Sequence, residues 1–344
     1  MYPFSFFTKN IILTTCFFSV LSISFAQVSD PTDNMKNVKL FHTYYYEAYD
    51  VEMKKDNVIF YKKRKTLFRS LSEYDTNGNQ ILLNHYDPNT DNLHESYIYT
   101  YDSNNRLKEE TYVLMGKVFG GKTTYFYDKD GRKSKMEYYS NKNELKSTVR
   151  FTYNGKGNLM TEKTYNTANM VIKELQYKYD ERGNQIEMVN LKNIFLKKNN
   201  DPYREIKSFD SLNRLTSRTH YKNDSLEWIY TATYDVNSRL IMEQTKDRND
   251  KLMSEARYAY DKKGRLSETY NYESSHPGLS PMRITYLYNK KGLNYKRYIY
   301  IRNAPTSSIT KQYYFDEQGN WTMWIEISHV DDTKAVGTRK ITYF

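Results

Sequence analysis

Cysteine is almost missing from this sequence. Cys16 is the only one among 344 residues, and it lies in an apolar stretch near the start. A single thiol excludes a disulfide within the chain, and it leaves no cysteine metal site or cysteine nucleophile in the remainder. The fold must therefore be held by packing and hydrogen bonds alone.

Long apolar runs are also scarce. The one clear run, residues 11–25, is shorter than the ~20 residues that a spanning helix needs. Together with an early lysine and a small-residue end at residues 24–26, it predicts a signal peptide over residues 1–26. We expect an exported chain with no transmembrane segment after cleavage, in the periplasm, at the outer-membrane surface or outside the cell. Acylation of Cys16 is the alternative, but Thr15 stands where a smaller residue is typical of lipoproteins.

No dense block of one charge sign is present. The formal net charge is +11, from 52 Lys and Arg against 41 Asp and Glu, and the basic residues are spread along the whole chain. Such a balance could reflect acidic partners such as anionic glycans, but the even spread favours a solvated, mildly basic surface. Nucleic acid is not predicted as a partner.

Catalytic signatures are absent too. There is no HExxH, no GxSxG and no phosphate loop, and the six histidines lack metal-ligand spacing. Asp128 and Asp130 resemble part of a calcium loop, but neighbouring turns lack the second aspartate. We therefore predict no enzyme, no metal and no cofactor. A hydrolase with paired carboxylates is the weakest alternative, because strands can bring distant acids together.

Tyrosine, in contrast, is abundant, with 36 copies, and it is a strand residue with an apolar body and a polar tip. Much of it belongs to a repeat of 25 to 30 residues, which occurs ten times and is aligned here on an aromatic anchor. The anchors are Tyr74, Tyr101, Tyr127, Tyr153, Tyr179, Phe209, Tyr234, Tyr260, Tyr288 and Phe315.

A turn follows each anchor. The next residue is Asp or Asn, whose side-chain oxygen can accept a backbone N–H, and three residues later comes a residue that is usually Gly or Asn, which tolerates positive φ. This pattern predicts a type I turn closed by a left-handed residue, the common three-residue hairpin connection. Ser238 is the exception, and we expect a distorted or strained turn there. The turn pairs are Asp75 and Gly78, Asp102 and Asn105, Asp128 and Gly131, Asn154 and Gly157, Asp180 and Gly183, Asp210 and Asn213, Asp235 and Ser238, Asp261 and Gly264, Asn289 and Gly292, and Asp316 and Gly319.

The residues before each turn alternate as in a β-strand, and seven of ten units carry a second aromatic residue two positions before the anchor. One face of the sheet should therefore carry rows of rings. Arg or Asn usually follows the turn, where Arg can stack on a ring or pair with the turn Asp. The candidate ligand contacts in these rows are Tyr99, Tyr125, Tyr177, Tyr258 and Tyr286.

These patterns predict an all-β fold of tandem hairpins, with about twenty strands in one long curled antiparallel sheet, either an open spiral or a partly closed shell. Residues 27–70 are interpreted as a polar leader and an atypical capping hairpin, and residues 71–344 as the repeat domain with a closing cap. Longer connections are predicted at residues 193–203, 273–281 and 302–308, all at the end of the sheet opposite the turns.

Units such as "YDSNNRL", "YDKDGRK", "YDERGNQ" and "YDKKGRL" resemble the YD repeats of Rhs-like proteins, which include teneurins and the shells of insecticidal toxin complexes. The closing "FDEQGNWTMWIEI" and "TRKITYF" resemble the end of short secreted YD-repeat proteins from Bacteroidetes. The resemblance implies a wrapped β-sheet that encloses a toxin or binds extracellular partners, sometimes glycans. Toxin enclosure is not expected, because no toxin segment follows the repeats.

The combined expectation is an exported, non-enzymatic scaffold or binding surface of the cell envelope or exterior. Glycan binding through the tyrosine rows is its most concrete form, because aromatic rings can stack on sugars. Docking to another envelope or secreted protein is the alternative.

Overall fold

The computed structural model describes residues 38–54, 57–115, 117–193, 202–278, 280–290, 292–329 and 334–343. The predicted signal peptide and the polar leader at residues 27–37 lie outside these ranges. The described secondary structure consists of 22 β-strands. No helix in the described part of the chain is long and apolar enough to cross a membrane.

The strands are β1 Val38–Lys54, β2 Asn57–Tyr74, β3 Gln80–Tyr86, β4 Leu93–Tyr101, β5 Leu107–Leu114, β6 Val118–Tyr127, β7 Lys133–Tyr139, β8 Leu145–Tyr153, β9 Leu159–Asn166, β10 Val171–Tyr179, β11 Gln185–Asn193, β12 Tyr203–Phe209, β13 Leu215–Lys222, β14 Ser225–Tyr234, β15 Leu240–Asp247, β16 Leu252–Tyr260, β17 Leu266–Glu273, β18 Met282–Tyr288, β19 Asn294–Ile301, β20 Ala304–Phe315, β21 Trp321–Ser328 and β22 Lys334–Tyr343. Each of the ten anchors is the last residue of an even-numbered strand, from β2 to β20.

Strand pairing is antiparallel between chain neighbours. It runs from β1 to β14, and again from β16 to β21. In β4 and β5, for example, Tyr99 lies opposite Glu110, and the register shifts by one residue between Thr100 and Tyr101. In every other repeat hairpin whose register is described, the register also shifts just before the anchor. A β-bulge beside a turn residue with positive φ produces such a shift. The all-β antiparallel sheet of hairpins is therefore confirmed.

The first and last strands of the sheet also pair with each other. β1 is hydrogen-bonded to β2 on one side and to β22 on the other, within one 22-stranded sheet. The open spiral, one of the two predicted alternatives, is therefore wrong, because β1 has a hydrogen-bonded neighbour on both sides. An unpaired edge exposes a row of N–H and C=O groups, and joining β1 to β22 satisfies both rows at once.

Two compact units are distinguished within the described chain. The first contains residues 233–244 and 252–334, and the second contains residues 38–232, 245–251 and 335–343. The first unit has an apolar cluster formed by Tyr258, Leu266, Met282, Ile284 and Tyr286. In the second unit the fully buried residues are few and small, such as Val38 and Val336. Most tyrosines therefore remain half-buried along the sheet.

The three longer connections predicted from the sequence have different outcomes in the structure. The one at residues 302–308 is wrong as a long loop, because β19 and β20 are joined by Arg302 and Asn303 alone, with φ of 49° and 65°. Two successive positive φ values are the signature of a tight type I′ hairpin turn, and Asn is favoured there. The connection after Glu273 is longer, and Arg302 donates from Nη2 to the Pro277 carbonyl within it. The connection at residues 194–201 lies outside the described residues.

Candidate functional site

The turn aspartates bind their own turns. In the repeat anchored on Tyr101, Asp102 Oδ1 accepts the backbone N–H groups of Asn104 and Arg106, at 2.9 and 3.0 Å. Asp102 Oδ2 accepts Nε and Nη2 of Arg106, at 2.8 and 2.7 Å. The side-chain and backbone hydrogen bonds from Arg106 hold the pKa of Asp102 below its ordinary value of 3.8. The same bidentate pair forms in the turns of Asp128, Asp210, Asp235 and Asp261.

The turn-closing residues adopt the left-handed conformation in all ten repeats, with φ between 62° and 88°. At Ser238, φ is 64°, and the backbone hydrogen bonds Ser238 N to Asp235 O and Asp235 N to Arg239 O match those of the neighbouring turns. The expected distortion is therefore not seen, and the strain at Ser238 is confined to a positive φ in a residue with a Cβ.

The anchor tyrosines join one repeat to the next. The hydroxyl of Tyr127 donates to the carbonyl of Leu107 at 2.7 Å, and the guanidinium of Arg106 lies over the Tyr127 ring at 4.4 Å. Leu107 begins β5, and the paired register of β5 with β6 starts only at Glu109. The Tyr127 hydroxyl thus supplies a hydrogen bond to a carbonyl that lies beyond the last paired residues of β5 and β6. Tyr101, Tyr153, Tyr260 and Tyr288 donate in the same way to Gln80, Lys133, Leu240 and Leu266.

We expect Tyr127→Phe to lower the free energy of unfolding by about 1 to 2 kcal/mol, because it leaves the Leu107 carbonyl without this donor. Phe209→Tyr is expected to raise the free energy of unfolding. Phe209 occupies the anchor position of its repeat, so an added hydroxyl would reach the carbonyl of Gln185, the first residue of β11. Urea unfolding followed by fluorescence measures both. Tyr138→Phe is the control, because Tyr138 is half exposed and none of the described hydrogen bonds involves its hydroxyl. Equal effects of the Tyr127 and Tyr138 variants would contradict the expectation.

The candidate ligand-contact tyrosines divide into two groups. Tyr258 and Tyr286 are buried, at 6% and 7% exposure, and belong to the apolar cluster of the first unit. Tyr99, Tyr125 and Tyr177 are half-buried in the second unit. Only the second group thus keeps part of its surface accessible to a ligand.

Carboxylates lie beside these accessible rings. Tyr125 donates to Glu110 Oε2 at 3.2 Å, and Glu110 also lies opposite Tyr99 in the sheet. Burial, and then the nearby Glu110 charge, raises the pKa of Tyr99 and of Tyr125 to about 12. Burial and Glu162 do the same for Tyr177. The accessible rows therefore combine ring faces with hydrogen-bond acceptors, a pattern that nothing in the local spacing predicted.

A further cluster lies around His220, one of the six histidines whose spacing gave no sign of a site. His220 stacks between Tyr203, with centroids 5.5 Å apart, and Trp228, with centroids 4.9 Å apart and rings nearly parallel. Its Nδ1 lies 3.4 Å from Glu205 Oε1. We call Tyr203, Glu205, His220, Trp228 and Tyr230 the His220 cluster. Its rings come from β12, β13 and β14, so only the sheet register brings them together.

The aromatic row is interrupted next to this cluster. Lys207 and Ala232 occupy the position two residues before the anchors Phe209 and Tyr234, where most repeats have a ring. Lys207 lies directly opposite Arg218, whose guanidinium lies over the rings of Trp228 and Tyr230 at 5.0 and 5.5 Å. This break in the row was the sequence signal that could have located the cluster.

The partial calcium motif has another role. Arg132 Nη2 lies 2.7 Å from Asp128 Oδ2 and 2.8 Å from Asp130 Oδ2, so both carboxylates are paired with a guanidinium. Within the described ranges, no group of three or more His, Cys, Asp and Glu side chains is arranged to hold a metal ion.

Among the comparisons with known proteins, only the comparison with solved structures found matches. No family model matches the chain, and no curated protein matches it. A crystal structure of TcdB2-TccC3-Cdc42 aligns with a TM-score of 0.42 and 13% identity over 84% of this chain and 16% of that one. The Photorhabdus luminescens Tc holotoxin pore aligns with a TM-score of 0.39 and 16% identity, over 76% of this chain and 15% of that one. A porin-like protein from Bacteroides uniformis aligns with a TM-score of 0.30 and 10% identity, over 89% of this chain and 98% of that one. The chain thus spans about a sixth of the two toxin chains.

Proposed function

We propose that this chain is an exported, non-enzymatic YD-repeat protein of the cell envelope or exterior, and that its aromatic face binds carbohydrate. The repeat assignment is supported by ten copies of the anchor, turn Asp and left-handed residue. The observation that carries the binding proposal is the half-buried row of Tyr99, Tyr125 and Tyr177, with Glu110 beside the first two rings.

These groups match the chemistry of a sugar. The apolar face of a pyranose stacks on an aromatic ring, and its hydroxyls donate to carboxylates, so a site of rings with a few polar groups fits it. Incoming strands of successive repeats lie two strands apart, which places equivalent rings roughly 9.6 Å from one another. A linear polysaccharide crossing the strands would therefore meet one ring after another.

A glycan array with the mature protein tests the proposal, and isothermal titration then measures the affinity for the best polysaccharide. We expect Tyr125→Leu to weaken binding about tenfold, because it removes a stacking ring of ~1.4 kcal/mol while keeping apolar volume. The matched control is Phe126→Leu, since Phe126 is the next residue of β6, faces the opposite side and is 36% exposed. No array signal above background, or equal loss in both variants, would overturn carbohydrate binding.

Docking to another envelope or secreted protein is the second candidate. It is favoured by large apolar side chains exposed on the face opposite the tyrosines, including Ile98 at 41% on β4, Phe126 at 36% on β6 and Ile229 at 37% on β14. A partner would have to cover several strands to contact them together. Crosslinking in cells distinguishes the two functions, because docking requires a reproducible protein partner.

A further inference from the structure

Two cations face each other on the aromatic face. Lys207 on β12 lies directly opposite Arg218 on β13, so their side chains leave the sheet on the same side. Like charges directly opposite each other destabilise a sheet. Among the ion pairs of the described residues, none involves Lys207 or Arg218, and Arg218 Nε is buried without a hydrogen-bond partner. Within the described part of the chain, the pair therefore lacks an anion that would balance it.

Neighbouring acids offset only part of this charge. Glu205 lies 3.4 Å from Nδ1 of His220, and Glu227 lies 3.9 Å from Nε2 of the same ring. Glu205 precedes Lys207 by two residues on β12, so both side chains leave the sheet on the same side. One carboxylate beside two cations leaves a net positive charge for a bound anion.

Aromatic rings orient the guanidinium. Arg218 lies over Trp228 and Tyr230, which hold the planar guanidinium by cation–π contact. Tyr203, His220 and Trp228 extend these rings as a stack across three strands. Charge and stacking surface therefore lie side by side in the second unit.

We propose that Lys207 and Arg218 form an anion subsite of the aromatic face, and that this subsite takes an acidic sugar residue of a polysaccharide. The anionic group of the sugar, a carboxylate or a sulfate, binds between the two cations, and the sugar ring lies against the neighbouring aromatic rings. An arginine fork matches the geometry of either anion. This inference rests on the proposed carbohydrate binding and specifies its ligand as acidic.

Titration calorimetry of the mature protein with polygalacturonate, dextran sulfate and neutral dextran tests the subsite. We expect the wild-type protein to bind at least one polyanion at least tenfold more tightly than neutral dextran. Lys207→Gln and Arg218→Gln should each lower the affinity for the polyanion about tenfold and make it less dependent on salt. The affinity for neutral dextran should stay unchanged. Tight binding of polygalacturonate alone assigns a carboxylate, and tight binding of dextran sulfate alone assigns a sulfate.

Lys178→Gln is the matched control, because it makes the same charge change on a lysine that is 69% exposed and paired with Glu187. The melting temperature of the Lys207 variant should be unchanged or higher, since the substitution removes a repulsion. Arg218→Gln removes the same repulsion but also two cation–π contacts, so its melting temperature should stay close to that of wild type. Unchanged polyanion affinity in both variants, with neutral dextran still bound, would overturn the subsite alone. Absence of binding to any polysaccharide would overturn the proposed function together with it. A sharp fall in melting temperature with loss of all binding would assign the pair a structural role instead.

Discussion

Gly121→Ala is expected to lower the free energy of unfolding by about 3 kcal/mol, through backbone strain and overpacking. Gly121 has a φ of 140°, which side-chain-bearing residues rarely adopt, and an added Cβ would lie 2.7 Å from the carbonyl oxygen of Tyr139. That oxygen belongs to the backbone of the paired strand, so it cannot rotate away. The register of β5 with β6 also shifts next to Gly121, which fixes the backbone conformation there.

Urea denaturation of the Gly121→Ala and Gly155→Ala variants gives the measurement and its control. Gly155 lies in the turn after Tyr153 and has no positive φ, and a Cβ added to it would meet no atom within 4 Å. Its replacement should leave stability within about 0.5 kcal/mol of wild type or raise it slightly. A Gly121 variant as stable as the Gly155 variant would show that the bulge in β6 can relax.

Alkaline unfolding is expected to be cooperative between pH 10 and pH 12. Burial raises the pKa of Tyr99, Tyr125, Tyr177 and Tyr288 from 10.0 to about 12 in the folded protein. A raised folded-state pKa gives stability that is fully present below the unfolded value, and this stability is lost as the pH rises through the folded value. Because these four tyrosines have similarly raised pKa values, their contributions to stability are lost over the same pH range.

Ultraviolet absorbance of tyrosinate and circular dichroism, followed in one titration, provide the test. The four tyrosines with a raised pKa should ionise only as the sheet signal is lost, so the two transitions should coincide. Tyr99→Phe with Tyr177→Phe removes two of the shifted groups and should move the unfolding transition to higher pH. Complete ionisation near pH 10 with an intact sheet signal would contradict the assignment.

Local chemistry explains what could be predicted from the sequence. A turn such as that of Asp102 and Asn105 depends on hydrogen bonds within five residues, so the motif itself defines it. The alternation before Tyr101 likewise places rings on one face by the pleat alone. Strand order between neighbours follows because each hairpin is short and pairs with the next.

Long-range register explains what could not be predicted. The pairing of β1 with β22 joins residues from opposite ends of the sequence, and no repeat period encodes it. The same holds for Tyr125 and Glu110, and for Arg218 and Trp228, which meet across different strands. The tight turn at Arg302 was missed because Asn303 stands where a glycine is the commoner signal.

The pairing of β1 with β22 has a consequence for synthesis and folding. Every hairpin from β2 onward can form as soon as its own residues are available, since its contacts are close in sequence. β1, in contrast, keeps one side unpaired until Lys334–Tyr343 has been made. An open strand edge is a template for pairing with other chains, so the growing polypeptide carries an association hazard until β22 pairs with β1.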